Sequence, residues 1–525
     1  MNIPSQVNTN QSGHSDYRRS TRLEEGSHPN RTVMRSTKVL RSHKIYLLLL
    51  SIVVSCLTVA VPLFSHLANG LQSQNLYIGE MCAKGQLPFT DMFATGGFLY
   101  YAVIALSYHL RSTAWLIPMQ VLLFYISGIY FYKLVHYLTK NRQVAVTFSG
   151  IFYLMNVTLG FGGLYPMQFA MPFVMVSLWF LTKYFAGIIK DEAFILYGFA
   201  GAMAMLLEPH TLLFWGSSFV TILVYNLQQR HFARGFYQLL CILFGTILVF
   251  YTAGYFILNL QILSAYISQA LVYPMTYLAT GHGNVFLTLL FQVVLALGTG
   301  LLLGSLSFKT ILQPAGDRVS KWLIFLVFLL FFLRALLSHS YASYQLLPSL
   351  PFGLLLTAMV IGAHYQERGS RRNHRRRRRR EDNGCFGLYL KRHFYLPLLA
   401  LLIGVGQPLV STLLSAHVIA ERSEIARYLK EHTTDDEAIY VWDDSAQIYL
   451  ATGLASSSQF VLPNINTTKP SFQKLLEDEL LQNQASYFVL RKGSKLSETL
   501  QQNLATSYTQ ESVSGLSDFT IYHKN

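Results

Sequence analysis

Glu80, Lys84 and Asp91 fall in one polar, aromatic-rich stretch, Leu76 to Tyr101, directly after the first long apolar run. Carboxylates at the edge of a lipid-solvated body are costly to place, so they mark candidate chemistry. Pro88-Phe89-Thr90 is expected to bring the chain extended into Asp91, with Glu80 on a short helix about two turns earlier. The plain alternative is a solvated loop with a capping acid. Arg334 lies inside KWLIFLVFLLFFLRALLSHSY, a few residues before its end. A guanidinium there must snorkel to the headgroups or find an anion. Its planar fork of donors matches phosphate oxygens, and His339 and Tyr341 follow within the next two turns. Glu208 and His210 flank Pro209 at another corner, and His282 sits between two glycines. These three are candidate pocket residues, with helix capping and a bare loop as the alternatives.

The chemistry open to this set is narrow. The chain has no Gly-rich phosphate loop, no HExxH and no GxSxG. Its four cysteines, Cys56, Cys82, Cys241 and Cys385, lie far apart, which suggests neither a disulfide framework nor a zinc site. A divalent metal is compatible with the set but nothing indicates one. A carboxylate can take a proton from an acceptor hydroxyl, and nearby cations can hold the charge growing on a departing phosphate. Together these suit transfer of a group from a lipid-linked phosphate.

The elements that must position these residues are mostly membrane helices. Of 525 residues 52% are hydrophobic and only 13% charged, where a soluble chain carries about a quarter charged. Apolar runs near 44–66, 113–138, 143–160, 166–186, 192–207, 210–227, 236–259, 285–307, 321–338, 345–363 and 394–416 read as eleven spanning helices. The apolar segment 97–110 is too short to span and is placed flat at the interface. With that parity the basic clusters Lys140/Arg142, Arg230/Arg234, Lys309/Arg318/Lys321 and Arg371 to Arg380 all face the cytoplasm, with the Arg-rich N-terminal tail. The arginine run reads as an orientation signal resting on anionic headgroups. It lacks the aromatics that nucleic-acid binding needs, so no nucleic-acid partner is expected.

Residues 1–43 read as a disordered basic cytoplasmic tail and 44–417 as the transmembrane domain. That domain includes an outer loop at 67–112 and an Arg-rich cytoplasmic loop at 364–393. Residues 418–525 differ in kind, with fourteen acids against nine bases. Expected strands at 438–442, 485–490 and 519–522 alternate with helices at 421–431, 470–482 and 495–505, as in a small extracellular α/β domain. Asp443 and Asp444 read as a turn and cap after the first strand.

Several short motifs recur in an order that resembles the polytopic glycosyltransferases of the GT-C fold, in their bacterial family-39-like branch. Tyr77-Ile78-Gly79 and Gly85-Gln86-Leu87-Pro88-Phe89-Thr90-Asp91-Met92-Phe93 resemble the first outer loop of that family. Arg334, His339-Ser340-Tyr341 and Gln345-Leu346-Leu347-Pro348 resemble its late R…HY…LLP segment, and Ile439 to Gly453 its soluble tail. The resemblance implies a multi-pass plasma-membrane enzyme of a Gram-positive bacterium that uses a polyprenyl-phosphate sugar. Its acceptor would be a cell-wall polymer or glycolipid. Asp91 would be the base with Glu80 its partner, while Arg334, His339, Tyr341 and Lys84 would hold the donor phosphate. The sequence departs from the family at Leu71-Gln72-Ser73, where relatives carry an acid, and at Ala94-Thr95-Gly96. The alternative reading is a lipid or polysaccharide transporter, or an inactive subunit of a wall-assembly complex.

Overall fold

The computed structural model describes residues 37–279, 281, 283–313, 316–373, 395–434, 436–513 and 515–525. Helix α1 (Arg41–Cys56) is followed by α2 (Gly70–Ala83), α3 (Phe98–His109), α4 (Leu116–Thr139), α5 (Arg142–Leu159) and α6 (Pro166–Phe185). Then come α7 (Phe194–Leu207), α8 (Leu212–Gln228), α9 (Phe232–Asn259), α10 (Val285–Gly298), α11 (Leu301–Leu306), α12 (Arg318–Leu336) and α13 (Leu350–Asn373). The last of the apolar segments is α14 (Tyr395–Leu401), a π turn and α15 (Gln407–Leu414).

Each of the eleven segments expected to span contains helix. By length and apolarity, however, only Thr113–Thr139, Phe232–Asn259, Arg318–Leu336 and Ser343–Tyr365 qualify among the described residues. The pair Leu398–Leu414 and Ala416–His432, bent by 61°, adds a fifth if read as one span. The others are shorter, broken or, like the 20-residue α6, less apolar. Helix α7 has 14 residues, about 21 Å at 1.5 Å per residue, against a hydrocarbon core of about 30 Å. Gly300, at φ 76°, separates α10 from α11. The first apolar run stops at Cys56, well before residue 66. There Val59 N–H donates to the Gly162 carbonyl at 2.8 Å and Pro62 opens a 3-10 turn.

Burial sorts the helices. Within an apolar 18-residue stretch of Ser343–Tyr365, 89% of the residues are buried inside the protein, against 22% for Phe232–Asn259. Phe236, Phe244, Tyr251 and Tyr255 of α9 are exposed apolar surface, which suits a helix solvated by lipid. Close helix crossings rest on glycine, as is common in membranes. A Cβ on Gly198 would lie 2.1 Å from the Ile242 carbonyl, and one on Gly245 2.0 Å from that of Ile195.

Beyond α16 (Ala416–His432) lies a five-stranded sheet in the order β2-β1-β3-β5-β4. Its strands are β1 (Ala438–Trp442), β2 (Ala455–Ser456), β3 (Tyr487–Arg491), β4 (Tyr508–Glu511) and β5 (Phe519–Lys524). Strand β1 runs parallel to β2 and β3, and β5 antiparallel to β3 and β4. The expected strands appear; β2 and β4 are additional and too short or too polar to stand out by pattern. Asp443, fully buried, takes a two-bond grip from Arg422 at 2.7 and 3.0 Å and a third contact from Arg491 at 3.3 Å.

The loop 67–112 is clamped between this sheet domain and the bundle. Tyr77 Oη accepts from Ser456 N–H at 2.8 Å, and Ser73 Oγ accepts from Ala446 N–H at 3.0 Å. Phe93 packs against Tyr273, Phe460 and Phe472, with ring centroids 5.2–5.5 Å apart.

Candidate functional site

A cavity of about 130 Å³ opens where α2, α7, α12 and the sheet domain meet. Its charged and polar lining includes Arg334, Glu208, His210, Asn75, Asn466 and Tyr344. Of the residues expected from sequence, Arg334, Glu208 and His210 come together here.

Each is placed by local structure. Glu208 ends α7 and opens the 3-10 turn Pro209–Thr211. One carboxylate oxygen, Oε1, accepts the His210 backbone N–H at 3.1 Å and also meets His210 Nδ1. Glu208 therefore does cap, as the plain reading supposed, but its cap is the cavity's own histidine. The start of α3 presses on this corner, with Gly97 N–H donating to Leu207 O at 3.2 Å. A Cβ on Gly97 would stand 1.9 Å from the Leu206 carbonyl oxygen, so only glycine allows this approach. Burial opposes ionisation of Glu208; the His210 ring and the Arg334 guanidinium outweigh it and hold the carboxyl below its ordinary value.

Arg334 lies in the last turn of α12. No hydrogen bond or ion pair reaches its guanidinium among the described residues, although Glu208 and Tyr344 are near enough to feel its charge. Three more polar atoms of the lining are buried and lack partners among those residues: His210 Nε2, Asn75 Nδ2 and Asn466 Nδ2. Buried polar groups are normally satisfied. A cation and two amide donors left open around one space have the chemistry to receive the oxygens of an anion.

The outer-loop residues are put to other uses. Asp91 is exposed and lines neither described cavity. Its Oδ2 accepts Leu87 N–H at 2.8 Å, closing its own turn. The expected extended entry is absent: Phe89 is left-handed, at φ 73°, and its ring is wedged against Tyr101 and Tyr266. Glu80 pairs with Lys84 at 3.0 Å, and Lys84 donates to the Gly453 carbonyl at 2.6 Å. Burial pushes the Glu80 carboxyl up, against the pull of Lys84 and Lys430. Lys84 thus fastens α2 to the sheet domain and is not in the cavity. The segment 71–73 is structural as well. Gln72 completes a capping box with Asn69 and donates to Phe161 O and Gly163 O at 2.9 and 2.7 Å.

His339 and Tyr341 line a second cavity of about 440 Å³ that shares Tyr165, Tyr344 and Ile465 with the first. Tyr165 and Tyr344 stack between the two, ring centroids 4.9 Å apart. His282 and residues 374–380 of the arginine run lie outside the described residues. Asn75 and Asn466 escaped the sequence reading. The run Gln72-Ser-Gln-Asn75 on a membrane-edge helix was a usable signal for the first; nothing around Asn466 singles it out. Among the described residues, the one grouping with metal-ligand geometry is His417, Glu421 and Asp518 in the sheet domain. Glu421 there is already engaged by Ser517 and Asp518 N–H groups at 2.7 and 2.9 Å.

The fold has solved counterparts. ArnT from Cupriavidus metallidurans, crystallised with undecaprenyl phosphate, superposes with a TM-score of 0.52 at 13% identity, covering 91% of this chain and 97% of that one. At that identity the likeness speaks to the fold alone, which is of the GT-C type. Two Archaeoglobus fulgidus oligosaccharyltransferase structures also match. One is tethered to an acceptor peptide (TM-score 0.46, 12% identity, 86% of this chain, 69% of that). The other, AglB, holds an inhibitory peptide and dolichol-phosphate (0.46, 11%, 92%, 74%). No curated protein matches the sequence. The family model for the competence-induced Ccs4 N-terminal domain matches residues 32–416, and that for the Ccs4 C-terminal domain matches residues 419–525. This chain belongs to the Ccs4 family.

Proposed function

We infer that the protein is a membrane glycosyltransferase that takes a sugar from a polyprenyl-phosphate donor and passes it to a cell-envelope acceptor. The observation that carries this reading is Arg334, a guanidinium without a hydrogen bond or ion pair among the described residues, facing a cavity with free amide donors. An Arg fork and two amides can hold the phosphate through charge-assisted bonds, and the same contacts would stabilise it as a leaving group. The ArnT fold, solved with undecaprenyl phosphate, supports the donor class. In this reading all eleven helical segments cross or enter the membrane. The N-terminus and the arginine run face the cytoplasm, and the sheet domain with the cavity mouth lies outside.

A second reading has its own support. The positions aligned with the family's acid, Leu71-Gln72-Ser73, have none, and Gln72 is committed to capping. That favours a subunit that binds lipid phosphate without transferring sugar. Binding of undecaprenyl phosphate to the purified full chain, followed by sugar transfer from undecaprenyl-phosphate hexoses in native membrane vesicles, separates the two. Binding without transfer supports the subunit, and no binding removes both.

A further inference from the structure

We propose that Glu208 and His210 form a carboxylate–imidazole pair in which His210 Nε2 takes the proton from the acceptor hydroxyl. This rests on the transferase reading and names the group that reading lacks. The outer-loop acids do not line the Arg334 cavity, and Glu208 is its one carboxylate among the described residues. One oxygen of Glu208, Oε1, takes both the backbone N–H and the ring Nδ1 of His210, which ties this carboxylate to the histidine.

That contact decides the tautomer. A carboxylate accepts, so Nδ1 carries the hydrogen and Nε2 is left with a free lone pair. This is the arrangement by which a buried carboxylate orients a histidine base. The free Nε2 is buried, has no partner among the described residues, and belongs to a ring that lines the cavity beside Arg334. Burial and the Arg334 charge, against the pull of Glu208, hold the His210 ring below its ordinary value, so it stands neutral and able to take a proton.

The step balances within the cavity. The acceptor oxygen gives its proton to Nε2 and forms the bond to the anomeric carbon. The bond from that carbon to the donor phosphate oxygen breaks, and its electron pair leaves on the polyprenyl phosphate, facing Arg334. Glu208 offsets the imidazolium that results, until the proton passes to solvent. Glu208 is the positioning residue and His210 the proton acceptor.

The test uses the full-length protein and its variants in native membrane vesicles, with undecaprenyl phosphate carrying a tritiated hexose as donor. Affinity for unlabelled undecaprenyl phosphate is measured in parallel on purified protein. His210→Asn is expected to lower the transfer rate by ~10²–10⁴-fold, the range for removing a general base, with lipid affinity within about threefold of wild type. Glu208→Gln should lower the rate in the same way without weakening binding, and Glu208→Asp should recover part of it. Wild-type rate in His210→Asn overturns the proposal, as does a loss of lipid affinity that accounts for its lost rate. A rate abolished by Asp91→Asn but kept in His210→Asn moves the base to the loop and also overturns it. Wild type that binds the lipid but transfers no hexose overturns the pair while sparing lipid recognition. Wild type that binds no lipid overturns the parent reading and this one together.

Discussion

Replacing Arg334 by Met should move stability and ligand affinity in opposite directions. The guanidinium is held at the cavity without a hydrogen bond or ion pair from the described residues, so in the empty protein it is a cost that folding bears. Met keeps much of the stem volume and removes that cost. The thermal midpoint of the purified protein should therefore stay level or rise. Affinity for undecaprenyl phosphate should fall steeply. A charge-assisted hydrogen bond is worth about 1.5–3 kcal/mol, so a two-bond fork on one phosphate supplies ~3–6 kcal/mol, or ~10²–10⁴-fold at about 1.4 kcal/mol per tenfold. Arg334→Lys keeps the charge but not the fork; losing one of the two bonds costs ~10–10²-fold. Microscale thermophoresis in detergent gives the affinities, and a thermal ramp on the same samples gives the midpoints. A lowered midpoint with wild-type affinity in Arg334→Met would refute the reasoning and leave Arg334 as a headgroup-seeking anchor.

Lys84→Met breaks the contacts to Glu80 and the Gly453 carbonyl. As the lysine is half-exposed, the cost should be about 1 kcal/mol or less, with lipid affinity unchanged in the thermophoresis assay. Gly97→Ala should sharply reduce the yield of folded protein on size-exclusion chromatography, because its Cβ would meet the Leu206 carbonyl at 1.9 Å. Glu421 is buried, which alone would raise its pKa, but hydrogen bonds from Ser517 and Asp518 lower it below the ordinary carboxylate value. Its stabilising contribution is thus complete above that ordinary value and lost as pH falls from there through the lowered one. Glu421→Gln should flatten that acid limb in thermal unfolding followed by Trp fluorescence.

The sequence alone determined the elements: helix in each of eleven apolar segments, strands at 438–442 and near 487–491 and 519–524, and a short helix at 98–109. These follow from local periodicity and from what lipid demands of a backbone. It also marked Arg334, since a guanidinium in an apolar run is conspicuous without any neighbour being known. What it could not decide is which acid stands near that guanidinium. Asp91 and Glu80 have the better local setting, yet a left-handed Phe89 turns one onto its own loop, and pairing with Lys84, itself fastened to Gly453, occupies the other. Glu208, 126 positions before Arg334 in the chain, reaches the cavity because Gly97 lets α3 close onto the end of α7. Partners of a buried charge are chosen by helix packing over such separations, and no local pattern records that choice.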